Sequence, residues 1–181
     1  MHDEKITDKY DYVKKRVPDP QVKDVADQFF DAAKILWAKP PGSGVVIPAI
    51  VNSVLAIELY LKSLTAYSVI KDLKDYGRGV LGGTVTATPR KRVHKLTEIF
   101  SVLEEPIKNE FENKYKESSL FKSNSRFEDC LSSYNEVFVK VRYVFEDSSA
   151  FKDVNINELE QLMTLTKNAV ESLPTKEIML K

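Results

Sequence analysis

The sequence predicts an all-α protein built as a helical bundle. Three observations predict it. Apolar residues recur at three- and four-residue spacing through most of the 181 residues, as helices with one buried face require. One of these stretches, opening near Pro48, is apolar on nearly every face, which marks a central helix packed on several sides. No apolar–polar alternation extends beyond one short hairpin candidate at Gly82-Gly83, and no internal repeat is present.

Met1–Val17 alternates acids, lysines and two tyrosines without periodicity and reads as a loosely held arm over residues 1–18. Asp19-Pro20 reads as an N-cap with proline at the first helical position. Val22, Val25, Ala26, Phe29, Ala33, Leu36 and Trp37 then form an amphipathic helix that ends before Pro40-Pro41-Gly42. The second helix runs past Tyr67. Residues 68–92 break the pattern with Gly77, Gly79, Gly82 and Gly83. Gly82-Gly83 is placed to turn a small hairpin, and a loop without regular structure is the alternative.

Helix three carries Val93, Leu96, Ile99, Phe100 and Leu103. Helix four, about Glu105–Glu117, is charged, with Ile107, Phe111 and Tyr115 on one side. Ser125 and Glu128 form a capping-box pattern ahead of helix five. Its stripe runs unbroken from Phe127 through Cys130, Tyr134, Phe138 and Val141 to Phe145. Helix six, about Ile156–Leu173, stops before Pro174. One domain over 19–175 follows, with a tail at 176–181.

Composition excludes several classes. About 43% of residues are apolar and 30% charged, which argues against disorder across the chain. Acidic and basic residues balance at 27 each, so nucleic-acid or anionic-membrane binding needs a local basic patch. Cys130 is the single cysteine, which excludes an internal disulfide and a cysteine-rich zinc site; it reads as a buried, inert thiol. Two histidines, His2 and His94, cannot build a histidine-rich metal site, and no cofactor is expected. The charged N-terminus lacks a signal sequence, and Val45–Ile57 is too interrupted for a membrane span. A cytoplasmic protein without membrane contact is the expectation.

The chemistry-bearing groups sit inside apolar runs. Glu58 and Lys62 are four apart, with the acid N-terminal, the favourable order for an intrahelical pair. Arg142 and Glu146 repeat that spacing beside Tyr143. His94 stands next to Val93 at the edge of an apolar face. Two readings follow. One is a hydrogen-bond network that fixes how helices pack. The other is an anion or nucleotide pocket, with Arg142 and His94 as donors and Glu58 as orienting acid.

Ala56-Ile57-Glu58-Leu59-Tyr60-Leu61-Lys62, then His94-Lys95-Leu96, then Arg142-Tyr143-Val144-Phe145-Glu146 resembles the HEPN superfamily. The resemblance implies an up-and-down bundle of four core helices with added ones, often a homodimer. It also implies ribonucleases of toxin–antitoxin, phage-defence or RNA-processing systems, or non-catalytic partners of nucleotidyltransferases. The family's nucleases place a histidine beyond an arginine with four to six residues between the two. After Arg142 those positions hold Asp147, Ser148 and Ser149. The expectation is therefore a divergent member that binds RNA, nucleotide or a protein partner such as a nucleotidyltransferase or antitoxin, with no catalysis. The alternatives are a protein-interaction domain and a metal-independent RNase with a displaced histidine, His94 and Arg142 being its candidates.

The 68–92 segment also carries Lys71, Lys74, Arg78, Arg90, Lys91 and Arg92. Flexible cations beside glycines suit phosphate contact, and Arg78 and Arg90–Arg92 join the binding candidates. Its Gly77-Arg78-Gly79-Val80-Leu81-Gly82 string lacks the strand–turn–helix setting of a dinucleotide fingerprint.

Overall fold

The computed structural model describes residues 12–142 and 154–180. In chain order the elements are β1 (Tyr12–Val17), α1 (Pro20–Trp37), α2 (Val46–Ser63), β2 (Tyr67–Asp75), β3 (Leu81–Thr88), α3 (Leu96–Ser101), α4 (Glu105–Glu117), α5 (Phe127–Ser132), α6 (Val137–Arg142), α7 (Ile156–Ser172) and β4 (Lys176–Met179). The four strands form one antiparallel sheet in the order β3-β2-β1-β4. The all-α helical bundle expected from the sequence is therefore corrected to a mixed α/β architecture, in which a helical core carries a sheet.

Each strand arises where helical periodicity is missing. In β1, Val13 and Val17 are buried and Arg16 is exposed. The segment pairs with β2 through Tyr12↔Ile70 to Lys14↔Ser68 and with β4 through Lys14↔Met179 to Val17↔Lys176. Its cations hide the alternation, because Lys15 shares the Val13–Val17 face and lies over the Tyr67 ring, 6.0 Å from its centroid. Helix α2 stops at Ser63, and Tyr67 opens β2 instead of continuing the helix.

The hairpin turns at Tyr76–Val80, not at Gly82-Gly83. The Tyr76 amide donates to the Val80 carbonyl at 2.9 Å and the Val80 amide to the Gly77 carbonyl at 3.0 Å. Gly83 lies inside β3, where a Cβ would stand 2.5 Å from Ile70 Cγ2 and 2.6 Å from the Lys71 carbonyl oxygen. The register shifts beside it, between Lys71 and Lys74.

Asp19 joins sheet to helices. Its Oδ1 caps α1 by accepting from the Gln21 and Val22 amides, at 3.1 and 3.2 Å. Its Oδ2 accepts from Ser68 Oγ at 2.8 Å, and its amide donates to the Ser63 carbonyl at 2.7 Å. Helix α2 is long and apolar enough to cross a membrane, yet Ala49, Ile50, Val54, Ala56, Ile57, Tyr60 and Leu61 are buried and the helix packs against α1 and α7. At the other end of that core, Phe100, Phe111 and Phe127 pack ring to ring at 5.1–5.7 Å.

The expected fifth helix is broken at Ser133–Glu136 into α5 and α6. Asn135 lies in that break: its Oδ1 accepts from the Thr97 amide at 3.0 Å and its Nδ2 donates to Thr97 Oγ1 at 3.0 Å, which ties the turn to the start of α3. At the start of α5, the Asp129 carboxylate accepts from the Arg126 amide at 2.8 Å. The expected Ser125 cap instead bonds the Tyr115 hydroxyl at 2.8 Å.

Candidate functional site

Glu58 and Lys62 lie one turn apart on α2, and Lys62 Nζ donates to Glu58 Oε1 at 2.6 Å. Glu58 is buried, at 3% exposure. A second donor reaches the same oxygen: His94 Nδ1 stands 3.0 Å from Glu58 Oε1. An ionised carboxylate only accepts, so Nδ1 carries the hydrogen in this contact. The imidazole is 64% exposed. Glu58 Oε2 is buried and has no hydrogen-bond partner among the described residues, a costly arrangement for a carboxylate oxygen.

The fold delivers His94 to this place by a short route. Chain leaving α2 forms the β2–β3 hairpin and returns through segment 89–95, which has no regular secondary structure and leads into α3. Helix α3 packs on α2, and Asn135 holds its first turn through Thr97. His94 therefore ties the returning segment to α2. Lys91, Arg92 and Lys95 on that segment are exposed, and half-buried Arg90 donates to the Val102 carbonyl at 3.4 Å. Lys95 Nζ is 4.0 Å from Glu98.

Of the predicted site residues, Glu58, Lys62 and His94 come together, with Arg90, Lys91 and Arg92 next to His94 in the chain. Arg78 is separate, at the hairpin turn with φ 56°. Arg142 is the last described residue of α6, a helix that packs on α2. Tyr143 and Glu146 lie outside the described residues.

Sequence reasoning missed a second polar network. Asp27 of α1 accepts from the Tyr60 hydroxyl at 2.6 Å, from Lys167 at 2.6 Å and from Lys23 at 2.7 Å. Lys167 also reaches Glu171 at 2.9 Å and lies over the Phe30 ring at 5.1 Å. Burial works against the Asp27 charge, but hydrogen bonds from Lys167, Lys23 and Tyr60 prevail and hold its pKa at about 2. Burial and the neighbouring Asp27 push the Tyr60 phenol well above its ordinary range. The available signals were the four-residue spacings Lys23–Asp27 and Lys167–Glu171. The network is well satisfied and joins α1, α2 and α7, which is a packing role.

Three clefts, of about 470, 760 and 320 Å³, open elsewhere on the surface; none of their linings includes Glu58, Lys62 or His94. Among the described residues no cluster of histidine, cysteine and acidic side chains is arranged to hold a metal. Comparison with family models, with curated proteins and with solved structures finds no match to this chain.

Proposed function

We propose that this chain binds RNA through the basic segment Arg90–Lys95, seated on α2 by Glu58. The observation that carries the reading is the shared oxygen, Glu58 Oε1, which accepts from both Lys62 and His94. It fastens a segment without regular secondary structure to the core while Lys91, Arg92 and Lys95 face solvent. Lys62 offsets the Glu58 charge, so the surroundings are net cationic although the chain is neutral. The ring of His94 sits at the surface and not in an enclosed cleft, which suits a polymer better than a small nucleotide.

The test is RNA binding across a salt series. Each phosphate neutralised on a single strand contributes a slope of about −0.7 in log K against log salt. The Lys91→Ala, Arg92→Ala variant is expected to reduce the slope by roughly 1.4 and to weaken binding without lowering the melting temperature. Absence of salt-dependent RNA binding by the wild-type chain would falsify the reading.

The Glu58–His94 pair favours one second reading, RNA cleavage with His94 as base. His94 Nε2 would take the ribose 2′-hydroxyl proton. The 2′-oxygen would attack phosphorus, and the 5′-oxygen would leave with a proton from solvent, giving a cyclic phosphate. Cleavage in chelator that disappears in folded His94→Ala supports it; intact RNA after long incubation removes it.

A further inference from the structure

The β2–β3 hairpin presents an aromatic ring at its tip. Tyr76 is 70% exposed. Its backbone is fixed by the Tyr76–Val80 and Val80–Gly77 hydrogen bonds, and the Gly77 amide donates to Asp75 Oδ1 at 2.7 Å. Gly77, Arg78 and Gly79 all have positive φ, at 82°, 56° and 78°, so the tip is a defined turn that glycines make cheap. The ring lies against the bare backbone of Gly82: a Cβ there would stand 2.9 Å from Tyr76 Cε2 and 3.5 Å from Cδ2. Tyr76 is thus supported from one direction by a residue without a side chain and open to solvent over most of its surface.

Cations accompany the ring. Lys74 precedes it by two residues, Arg78 follows by two, and Lys71 lies further down β2. Asp72 and Asp75 oppose them, which leaves three cations against two carboxylates between Lys71 and Arg78. The root of the hairpin runs directly into Arg90-Lys91-Arg92. From Gly82 to Arg90 the extended chain covers roughly 25 Å at about 3.3 Å per residue. Nucleic-acid sites of several nucleotides have this reach, with a cationic track and an aromatic platform.

We propose that Tyr76 is a stacking platform for an unpaired base, so that the ligand is a single strand and not a duplex. The inference rests on the RNA-binding reading and names the class of nucleic acid. A tyrosine face accepts any unpaired base, whereas bases inside a duplex are already stacked on each other. The cations at the tip and root would hold the phosphates on either side.

The experiment uses the full chain and fluorescein-labelled 12-nucleotide mixed-sequence probes: single-stranded RNA, the same sequence as DNA, and the RNA duplex. Wild-type protein is expected to prefer the single strand over the duplex. Tyr76→Ala is expected to weaken single-strand binding about tenfold and leave duplex binding and the melting temperature unchanged. Tyr76→Phe keeps the ring and is expected to restore affinity. Gly82→Val keeps the tyrosine but places a Cβ where the ring lies, and is expected to reproduce part of the Tyr76→Ala loss. A loss confined to RNA assigns that strand; the same loss on RNA and DNA supports a platform open to both.

Unchanged single-strand affinity in folded Tyr76→Ala, or an equal loss in Tyr76→Phe, overturns the platform while leaving RNA binding in place. No binding of any probe by wild type overturns both.

Discussion

His94 Nδ1 lies 3.0 Å from Glu58 Oε1, so an exposed imidazole is held by a carboxylate that is itself buried. The two residues are 36 positions apart, and the whole β2–β3 hairpin lies between them. The contact closes that excursion onto α2. The partners contribute unequally to stability, because only Glu58 and Lys62 are withdrawn from water.

Glu58→Ala leaves the Lys62 ammonium, 13% exposed, without its carboxylate. Breaking a buried pair from one side costs about 3 kcal/mol, which for a chain of this size lowers the melting temperature by roughly 6–12 °C. His94→Ala is expected to cost about 1 kcal/mol or less, since the ring is mostly solvated. Thermal melts of the two variants side by side check the difference; equal losses would show that Glu58 is not the anchor.

Asp27 makes stability pH-dependent in the acid range. Its folded pKa, about 2, lies below the ordinary aspartate value of about 3.9 in an unfolded chain. The contribution is therefore complete above pH 4 to 5 and is lost as pH falls through the folded value. Asp27 is 28% exposed, and screening limits the effect to about 1 kcal/mol. Urea midpoints of wild type and Asp27→Asn are expected to converge from pH 5 down to pH 2; a constant gap contradicts the assignment.

Cys130 should be nearly unreactive in the folded chain. Burial, with Glu158 nearby, pushes its thiol up to about 12. The thiolate fraction at pH 8 is then about a thousandfold below that of an ordinary cysteine. Titration with a disulfide reagent is expected to be slow in buffer and fast in denaturant. Fast modification of native protein would show the thiol to be accessible.

Asp19 is fully buried and serves two elements at once, capping α1 and bonding Ser68 of β2. Asp19→Ala should cost about 2–3 kcal/mol, combining a lost cap with an orphaned hydroxyl. Asp19→Asn retains the capping oxygen and is expected to recover part of this. Chemical denaturation of both variants measures the recovery, and identical losses would leave the cap without a role.

Gly83→Val brings a Cβ into contact with Ile70 and the Lys71 carbonyl, at 2.5 and 2.6 Å. Backbone cannot yield as a flexible side chain does, so the hairpin register is expected to loosen at a cost of about 1–3 kcal/mol. Hydrogen exchange should rise across β2 and β3 and stay unchanged in α7. Unaltered protection of the Ile70 and Lys71 amides would contradict the packing described.

The helices were legible because their signals are local. The Asp19 cap with Pro20, the mostly apolar α2 and the stripe of α7 each declare themselves within one window of sequence. The break between α5 and α6 was hidden because the apolar stripe runs across it without interruption, while the Asn135–Thr97 contact in the turn joins residues 38 apart. In the candidate site, the Glu58–Lys62 pair was readable from its spacing. The Asp27–Tyr60–Lys167 network was not, since its partners come from three helices.

By itself the sequence determined the helical core, the absence of any internal disulfide and the basic character of the segment before α3. Only the tertiary structure decided that residues 12–17 and 176–179 are strands, and that His94 meets Glu58. The physical reason is the range of the forces involved. A helix satisfies its own backbone hydrogen bonds within four residues, so composition suffices to reveal it. A strand such as β1, rich in cations and short, is stable only because β2 and β4 supply its partners from distant parts of the chain.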